Sequence, residues 1–382
     1  MEIPTRFTGA IEKLHQLAVT AAGLEDFGDT SYREALQILL ESYDSSANLS
    51  ELGRYQAWFT LLNCLRGRLQ AIAGISAGHL QPSIDKPLFI VGLPRTGTTV
   101  LHRLLASQPN HQALENWLGS FPQPRPPRSQ WAGHEQFQEV SSALAQLDEM
   151  HPEFKKIHEM SAGAADECRL LLMQSFVNVS FQSSASINEY EEWLYEADLR
   201  PAYALYRDSL RLIGSREPQR RWILKDPSHL WAMDVLLETF PDAMVIQIHR
   251  DPVQLIASVS SLVLSARRML DPEVEPEVVA RRELRQWKKV WDKTLAVRKQ
   301  HPQRFIDAYF SDLLKDPVAV VGDIYRQLGE SLDTREDRRM RRWMREHPPD
   351  KHGGHSYSVG EFGLSEREIR AAFAEYCEFF GV

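Results

Sequence analysis

Cysteine is scarce in this sequence, which has only Cys64, Cys168 and Cys377 in 382 residues and no CxxC pair. The scarcity argues against a disulfide framework and against a zinc site built from cysteines. Long apolar runs are also missing, because the most apolar stretch, residues 255–266, is short and interrupted by serines; we therefore expect no transmembrane segment. The first residues lack the charged-then-apolar order of a signal peptide, so we expect a reducing, cytoplasmic setting.

Basic residues are also fewer than acidic residues in this sequence. The chain has 44 Lys and Arg against 52 Asp and Glu, for a net charge of −8. Such a balance argues against nucleic acid as a partner, and it means that any anionic ligand must be held by a few local positive groups. The remaining composition, 43% hydrophobic and 25% charged, is typical of a globular protein.

The pattern of apolar residues changes near residue 80. Before it, apolar residues recur at helical spacing, so residues 1–80 predict a helical extension packed on the core. After it, short apolar runs are each followed by a segment compatible with a helix, which predicts a parallel sheet flanked by helices on both faces. We expect this α/β domain to cover residues 81–382, with a mostly helical insertion at about 111–215 that binds a substrate. The expected strands are residues 88–91, 221–225, 243–249 and 304–309.

A glycine-containing segment, GLPRTGTT at residues 92–99, directly follows the first expected strand. Its spacing is that of a nucleotide-binding P-loop, except that Thr98 stands where such loops carry Lys. Backbone N–H groups that converge before a helix N-terminus bind anions, so the segment predicts an anion cradle. Without the Lys, which normally reaches the terminal phosphates of ATP, hydrolysis of ATP is disfavoured. The residues expected at the anion are Arg95, Thr96, Gly97, Thr98 and Thr99.

Together with later motifs in the expected order, this loop resembles that of the sulfotransferases that use 3′-phosphoadenosine 5′-phosphosulfate (PAPS), above all their bacterial branch. The resemblance covers roughly residues 85–360 and implies a P-loop-like fold. In this family an Arg at a strand end and a Ser eight residues later bind the 3′-phosphate of the donor, and Arg250 and Ser258 match that spacing. A guanidinium and a hydroxyl on one helical face can hold a dianion.

The segment LKDPSHL at residues 224–230 resembles the catalytic strand end of the family. By resemblance, His229 is the general base and Lys225 stabilises charge on the group being transferred, with Arg95 assisting. The alternative for His229 is an N-cap or core histidine of the helix expected at Leu230. A rival base is Glu167 or His158, because Golgi-type members use a Glu; Asp166 and Glu167 are also explained as residues in the first turn of a helix.

Two further segments resemble donor-binding parts of the family. Tyr309 or Phe310, at the end of the last expected strand, is a candidate for stacking on adenine, with core packing as the alternative. Lys351 and Gly353 lie in a basic, glycine-containing loop like one that covers the 3′-phosphate in related enzymes, with a plain surface loop as the alternative.

These motifs together predict transfer of a sulfuryl group from PAPS to a hydroxyl, or alternatively an amine, of a small-molecule or lipid-like acceptor, with no metal required. The rival functions are a kinase or NTPase with a degenerate P-loop and a non-catalytic nucleotide-binding relative. Seven aromatic residues of the insertion either line a site for an aromatic or apolar alcohol or pack in the core. They are Trp117, Trp131, Tyr190, Trp193, Tyr195, Tyr203 and Tyr206.

Overall fold

The computed structural model describes residues 3–78, 80–81, 83–152, 154, 160–347 and 359–382. Its chain folds as two compact units, each assembled from three stretches of sequence. The first unit comprises Met1–Ser83, Leu114–Pro218 and Ser265–Val274. The second comprises Ile84–Ala113, Gln219–Leu264 and Glu275–Val382.

The described part of the second unit contains five strands: β1 Leu88–Gly92, β2 His111–Gln112, β3 Arg221–Lys225, β4 Met244–His249 and β5 Phe305–Tyr309. They form one sheet in the order β2-β3-β1-β4-β5, in which all pairings are parallel. This confirms the predicted parallel α/β architecture. Four strands lie within one residue of the expected bounds, whereas the sequence does not predict the two-residue edge strand β2.

Alternate residues of the strands face opposite sides of the sheet, and both sides are covered. Ile90 and Ile246 belong to an apolar cluster with residues of the helices Thr98–Ala106 and Pro317–Gln327. On the opposite side, the ring of Phe89 lies 5.1 Å from that of Phe240. The α-helices assigned wholly to this unit are Thr98–Ala106, Met233–Thr239, Pro276–Gln300, Phe310–Lys315, Pro317–Gln327, Thr334–Glu346, Glu366–Ala372 and Ala374–Phe380.

One helix, Pro252–Leu270, begins in the second unit and ends in the first. Among the described residues it is the one helix long and apolar enough to cross a membrane by length and composition. Of its most apolar 18-residue window, 56% is buried inside the fold, as expected also for a core helix, so it is weak evidence for a membrane span.

In the described residues of the first unit, the regular elements are helices, and one isolated antiparallel bridge joins Glu115 to Ala165. Its N-terminal helices bury the apolar faces that their spacing predicts; Leu36, Leu39 and Leu40, for example, are all buried. The longest helix starts at a Ser50 N-cap, whose hydroxyl accepts a hydrogen bond from Gly53 N–H. The α-helices are Ile11–Ala22, Tyr32–Ser45, Glu51–Ser76, Asn116–Ser120, Glu135–Met150, Arg169–Leu172, Val179–Ser184, Asn188–Glu196 and Arg200–Ile213.

A buried arginine connects the N-terminal helices with the inserted segment. Arg68 donates to the Phe27 carbonyl at 2.7 Å, to Asp29 Oδ2 at 3.0 Å and to Ser175 Oγ at 3.3 Å. Its guanidinium also lies 4.1 Å from the centre of the Tyr32 ring. The sequence suggested a helical extension and a separate insertion in an α/β domain, whereas the structure assigns both segments to one unit. A buried guanidinium requires several acceptors, and here they come from both segments.

The backbone near Leu270 approaches the start of the helix Glu51–Ser76 so closely that only glycine fits at position 53. A Cβ on Gly53 would lie 2.1 Å from the Leu270 carbonyl oxygen. We expect Gly53→Ala to lower the free energy of unfolding by about 1–3 kcal/mol, because backbone atoms must move apart. Urea unfolding followed by circular dichroism measures the change.

The matched control is Gly322→Ala, since Gly322 is also helical but its nearest neighbour, Leu332 Cδ2, would be 3.9 Å from the new Cβ. This variant should be neutral or more stable by up to about 1 kcal/mol, because alanine has the higher helix propensity. Equal stability of the two variants would contradict the proposed backbone clash.

Candidate functional site

The strand order brings the predicted polar motifs to one edge of the sheet. Strand β1 lies between β3 and β4, and β4 pairs with β5, all in parallel. The carboxyl ends of these strands therefore lie side by side, which is where open α/β sheets bind ligands. Four predicted features lie at these ends: the loop that follows β1, and the residues Lys225, Arg250 and Tyr309.

Backbone geometry makes the loop after β1 a narrow cradle. Gly97 has a φ of +84° and Arg95 a φ of +72°, the latter in a region that side chains rarely adopt. A Cβ on Gly92 would lie 2.5 Å from Thr96 Oγ1 and 2.8 Å from the Ile248 carbonyl oxygen. The Thr96 hydroxyl is buried and has no hydrogen-bond partner in the described part of the chain.

Arg95, Arg250 and Ser258 lie together. Arg250 Nη1 donates to the Arg95 carbonyl oxygen at 2.6 Å, and Arg95 Nε donates to Ser258 Oγ at 3.2 Å. Burial, followed by the nearby charge of Arg95, lowers the pKa of the Arg250 guanidinium. Its Nε has no hydrogen-bond partner within the described ranges. Two guanidinium groups in one partly buried place favour an anion between or beside them.

Phe310 contacts the Arg250 guanidinium and borders the loop after β1. The centre of its ring lies 4.2 Å from the Arg250 guanidinium carbon, a cation–π contact. A Cβ on Gly97 would lie 3.1 Å from Phe310 Cδ2, so the same ring also borders the loop. Tyr309 lies instead beside His249, with the ring centres 5.6 Å apart. Stacking of either aromatic residue on adenine stays a prediction.

Lys225 is the last residue of β3 and reaches the helix that follows the loop. Its side chain is nearly fully buried, and its Nζ donates to Thr99 Oγ1 at 3.3 Å. Thr98, the first residue of this helix, is buried, whereas Thr99 is exposed. The predicted loop hydroxyls and the predicted lysine therefore belong to one cluster.

His229 follows β3 in a 3-10 turn, Pro227–Ala232, that Asp226 caps by accepting the Ser228 N–H at 2.8 Å. The α-helix expected to start at Leu230 begins only at Met233, after this turn; 3-10 turns are frequent where α-helices begin. The His229 side chain has no exposed surface, and its ring stands edge-on to Phe89, with centres 5.2 Å apart. A core position is what the packing alternative predicted, and the catalytic role stays a prediction.

The rival base Glu167 belongs to the first unit, where it forms an ion pair with Arg169 at 3.3 Å. Asp166 and Glu167 precede the helix, which starts at Arg169, so the expectation that they occupy its first turn is wrong. Asp166 Oδ1 accepts the Glu167 N–H at 2.7 Å and thereby stabilises the approach to the helix. The predicted residues His158, Lys351 and Gly353 lie outside the described residues.

Most aromatic residues proposed for an acceptor site pack in the interior of the first unit. Trp117, Tyr190 and Tyr206 have no exposed surface, and the phenol of Tyr190 donates to the Phe176 carbonyl at 2.7 Å. The partly exposed members are Trp193 and Tyr195. Most of these seven aromatic residues are therefore explained by core packing, the alternative to a role in binding the acceptor.

Sequence reasoning did not identify Tyr376 as a neighbour of the donor-binding motif. Its hydroxyl accepts the Arg250 N–H at 3.3 Å, although the two residues are 126 positions apart. No local pattern signals such a contact. Within the described ranges, no group of three or more His, Cys, Asp or Glu could hold a metal ion.

The sequence matches a family model and two curated proteins. The model of the sulfotransferase family matches residues 87–334. Among curated proteins, the omega-hydroxy-beta-dihydromenaquinone-9 sulfotransferase Stf3 of Mycobacterium bovis is 27% identical over 290 residues, which cover 72% of this chain and 71% of Stf3. The Stf3 of Mycobacterium tuberculosis matches with the same values.

Two solved structures share the fold over nearly the whole chain. Sulfotransferase STF1 from Mycobacterium tuberculosis superposes with a TM-score of 0.88 at 34% identity, covering 97% of this chain and 100% of STF1. Sulfotransferase STF9 from Mycobacterium avium gives a TM-score of 0.90 at 27% identity, covering 100% and 99%. The predicted bacterial-type resemblance is confirmed, and the chain belongs to the sulfotransferase family.

Proposed function

We propose that this sulfotransferase uses PAPS as its donor and transfers the sulfuryl group to a hydroxyl of a small-molecule or lipid-like acceptor. The observation that carries the proposal is the contact of Arg250 with the loop that contains Arg95. It joins two cations to an anion cradle at the start of a helix. A donor with phosphate groups at both the 5′ and the 3′ position supplies the negative charge that such a pair favours.

The residues of the second unit fit this donor. The loop from Gly92 to Gly97 would hold the 5′-phosphosulfate with backbone N–H groups, as glycine-rich loops before helices do. Arg250 and Ser258 would hold the 3′-phosphate, a group that ATP lacks. The Arg250 Nε and Thr96 Oγ1, which lack hydrogen-bond partners among the described residues, supply further donors at this cradle.

In the proposed reaction the acceptor oxygen attacks sulfur, and the bond from sulfur to the bridging phosphate oxygen breaks. The acceptor proton goes to His229, with Glu167 as the alternative base. Lys225 and Arg95 offset the negative charge that develops on the transferred group and on the leaving phosphate. Fixed positive groups at the site of developing charge account for most of the expected rate enhancement.

We propose the class of acceptor from the name of a relative, Stf3. Stf3 is named for a hydroxylated menaquinone derivative, which is a lipid alcohol. By analogy with this relative, which is 27% identical, we propose an alcohol of a small or lipid-like molecule as the acceptor, bound by the helical segment at about residues 111–215. From the small number of cysteines we also propose a cytoplasmic location.

Nucleotide selectivity tests the donor directly. We expect 3′-phosphoadenosine 5′-phosphate, the product nucleotide, to raise the melting temperature by several degrees. A ligand at one hundred times its Kd adds about 2.7 kcal/mol to the free energy of unfolding. ATP with Mg²⁺ should have little effect. Thermal-shift measurements compare the two, and stabilisation by Mg-ATP alone would instead support the kinase or NTPase alternative.

The role of Arg250 has its own test. Arg250→Ala should weaken binding of the product nucleotide by roughly 10- to 100-fold, because a hydrogen bond to a charged group contributes about 1.5–3 kcal/mol. Isothermal titration calorimetry gives the Kd. The matched control is Arg326→Ala, which removes an exposed arginine of the same unit that pairs with Asp323. Equal affinities of both variants would exclude Arg250 from donor binding.

The identity of the base is tested by His229→Asn and Glu167→Gln. If His229 is the base, its replacement should lower kcat by about 10²- to 10⁴-fold and leave the Kd of the product nucleotide unchanged. Glu167→Gln should then retain most of the activity. A transfer assay with radiolabelled donor sulfate and a panel of alcohols measures kcat. The opposite pattern would assign the base to Glu167, and no turnover with any acceptor would favour a non-catalytic relative.

A further inference from the structure

A chain of buried and partly buried hydrogen bonds reaches the backbone of Arg250. Arg298, from the helix Pro276–Gln300, pairs with Asp307 Oδ2. The other oxygen, Asp307 Oδ1, lies 2.8 Å from His249 Nε2. His249 Nδ1 lies 3.3 Å from the Tyr376 hydroxyl, which also accepts the Arg250 N–H at 3.3 Å. The chain thus connects two strands and two helices of the second unit.

The direction of each hydrogen bond in this chain follows from the charges. Burial lowers the pKa of His249, more than the hydrogen bond to Asp307 raises it, so the ring is neutral at pH 7. Its single proton must sit on Nε2, because Asp307 is a carboxylate whose pKa is itself held low by His249 and Arg298 against the effect of burial. Nδ1 is then an acceptor, and the Tyr376 hydroxyl donates a hydrogen bond to it. This leaves a lone pair of the Tyr376 oxygen directed to the Arg250 N–H.

The C-terminal helices hold three consecutive residues at the end of β4. The Phe380 ring stacks on His249, with centres 3.6 Å apart. Tyr376 accepts from Arg250, and Arg370 pairs with Asp251 at 2.9 Å. The last contact is exposed, so its contribution is small. Tyr376 and Phe380 therefore contact two neighbouring residues of this strand end, Arg250 and His249.

We infer that Tyr376 is a positioning residue for donor binding. It fixes the backbone of Arg250, so that the guanidinium stays on the Phe310 ring and on the Arg95 carbonyl at the same time. This inference rests on the proposed function, in which Arg250 binds the 3′-phosphate. A change in the backbone at Arg250 would tilt the guanidinium and misalign its hydrogen bonds to the donor, although Tyr376 touches no substrate itself.

The test is Tyr376→Phe, which removes the hydroxyl and keeps the ring. We expect the Kd of 3′-phosphoadenosine 5′-phosphate to rise about 3- to 10-fold, the effect of one hydrogen bond. The KM for PAPS should rise by the same factor while kcat at saturating donor changes little, because the reacting groups are untouched. Phe380→Leu, which weakens the stack on His249, should shift the Kd in the same direction.

The matched control is Tyr325→Phe, which removes a hydroxyl from a buried tyrosine in the apolar cluster of the same unit. It should leave the Kd and the KM for PAPS unchanged, whatever its effect on melting temperature. If Tyr376→Phe binds the nucleotide within twofold of the wild type, the inference is overturned. If the wild type itself fails to bind the nucleotide, the proposed function is overturned and the inference with it.

Discussion

The site depends on one hydrogen bond, from Arg250 Nη1 to the Arg95 carbonyl oxygen. To present that carbonyl, Arg95 adopts a positive φ, a conformation that costs on the order of 1–3 kcal/mol for a residue with a side chain. Burial, followed by the nearby charge of Arg95, lowers the pKa of the Arg250 guanidinium in this arrangement. An anion bound here would offset the repulsion between the two guanidinium groups, which is the argument for the anionic donor in the proposed function.

The sheet makes this contact possible between residues 155 positions apart. Gly92 pairs with Ile248 in the parallel register, so the loop after β1 and the segment after β4 leave the sheet at the same level. Ser258, eight residues after Arg250, then faces the loop across slightly more than two helical turns. The proximity of these motifs could be predicted from the sequence, because alternating strands and helices indicate a parallel sheet and each motif follows a strand.

Other parts of the site leave no such local signal. The sequence predicts strand β3 residue for residue but not the 3-10 turn after it, since the apolar spacing there is compatible with a helix. It does not predict strand β2, because two residues show no alternation. Tyr376 lies in a short helix whose sequence gives only its apolar face, and its contact with Arg250 arises from tertiary packing. Local patterns predict elements; they do not predict which distant element covers a strand end.

Packing also explains how a chain with a net charge of −8 keeps a positive site. Two carboxylates near the ends of β4 and β5 are occupied by other groups. Asp251 accepts the Val253 N–H and pairs with Arg370, and Asp307 is held by His249 and Arg298. No ion pair in the described part of the chain includes Arg250, although the charge of Asp251 acts to raise its pKa against the effects of burial and of Arg95. The C-terminal helices contact this strand end twice, since Tyr376 accepts the Arg250 N–H and Arg370 pairs with Asp251.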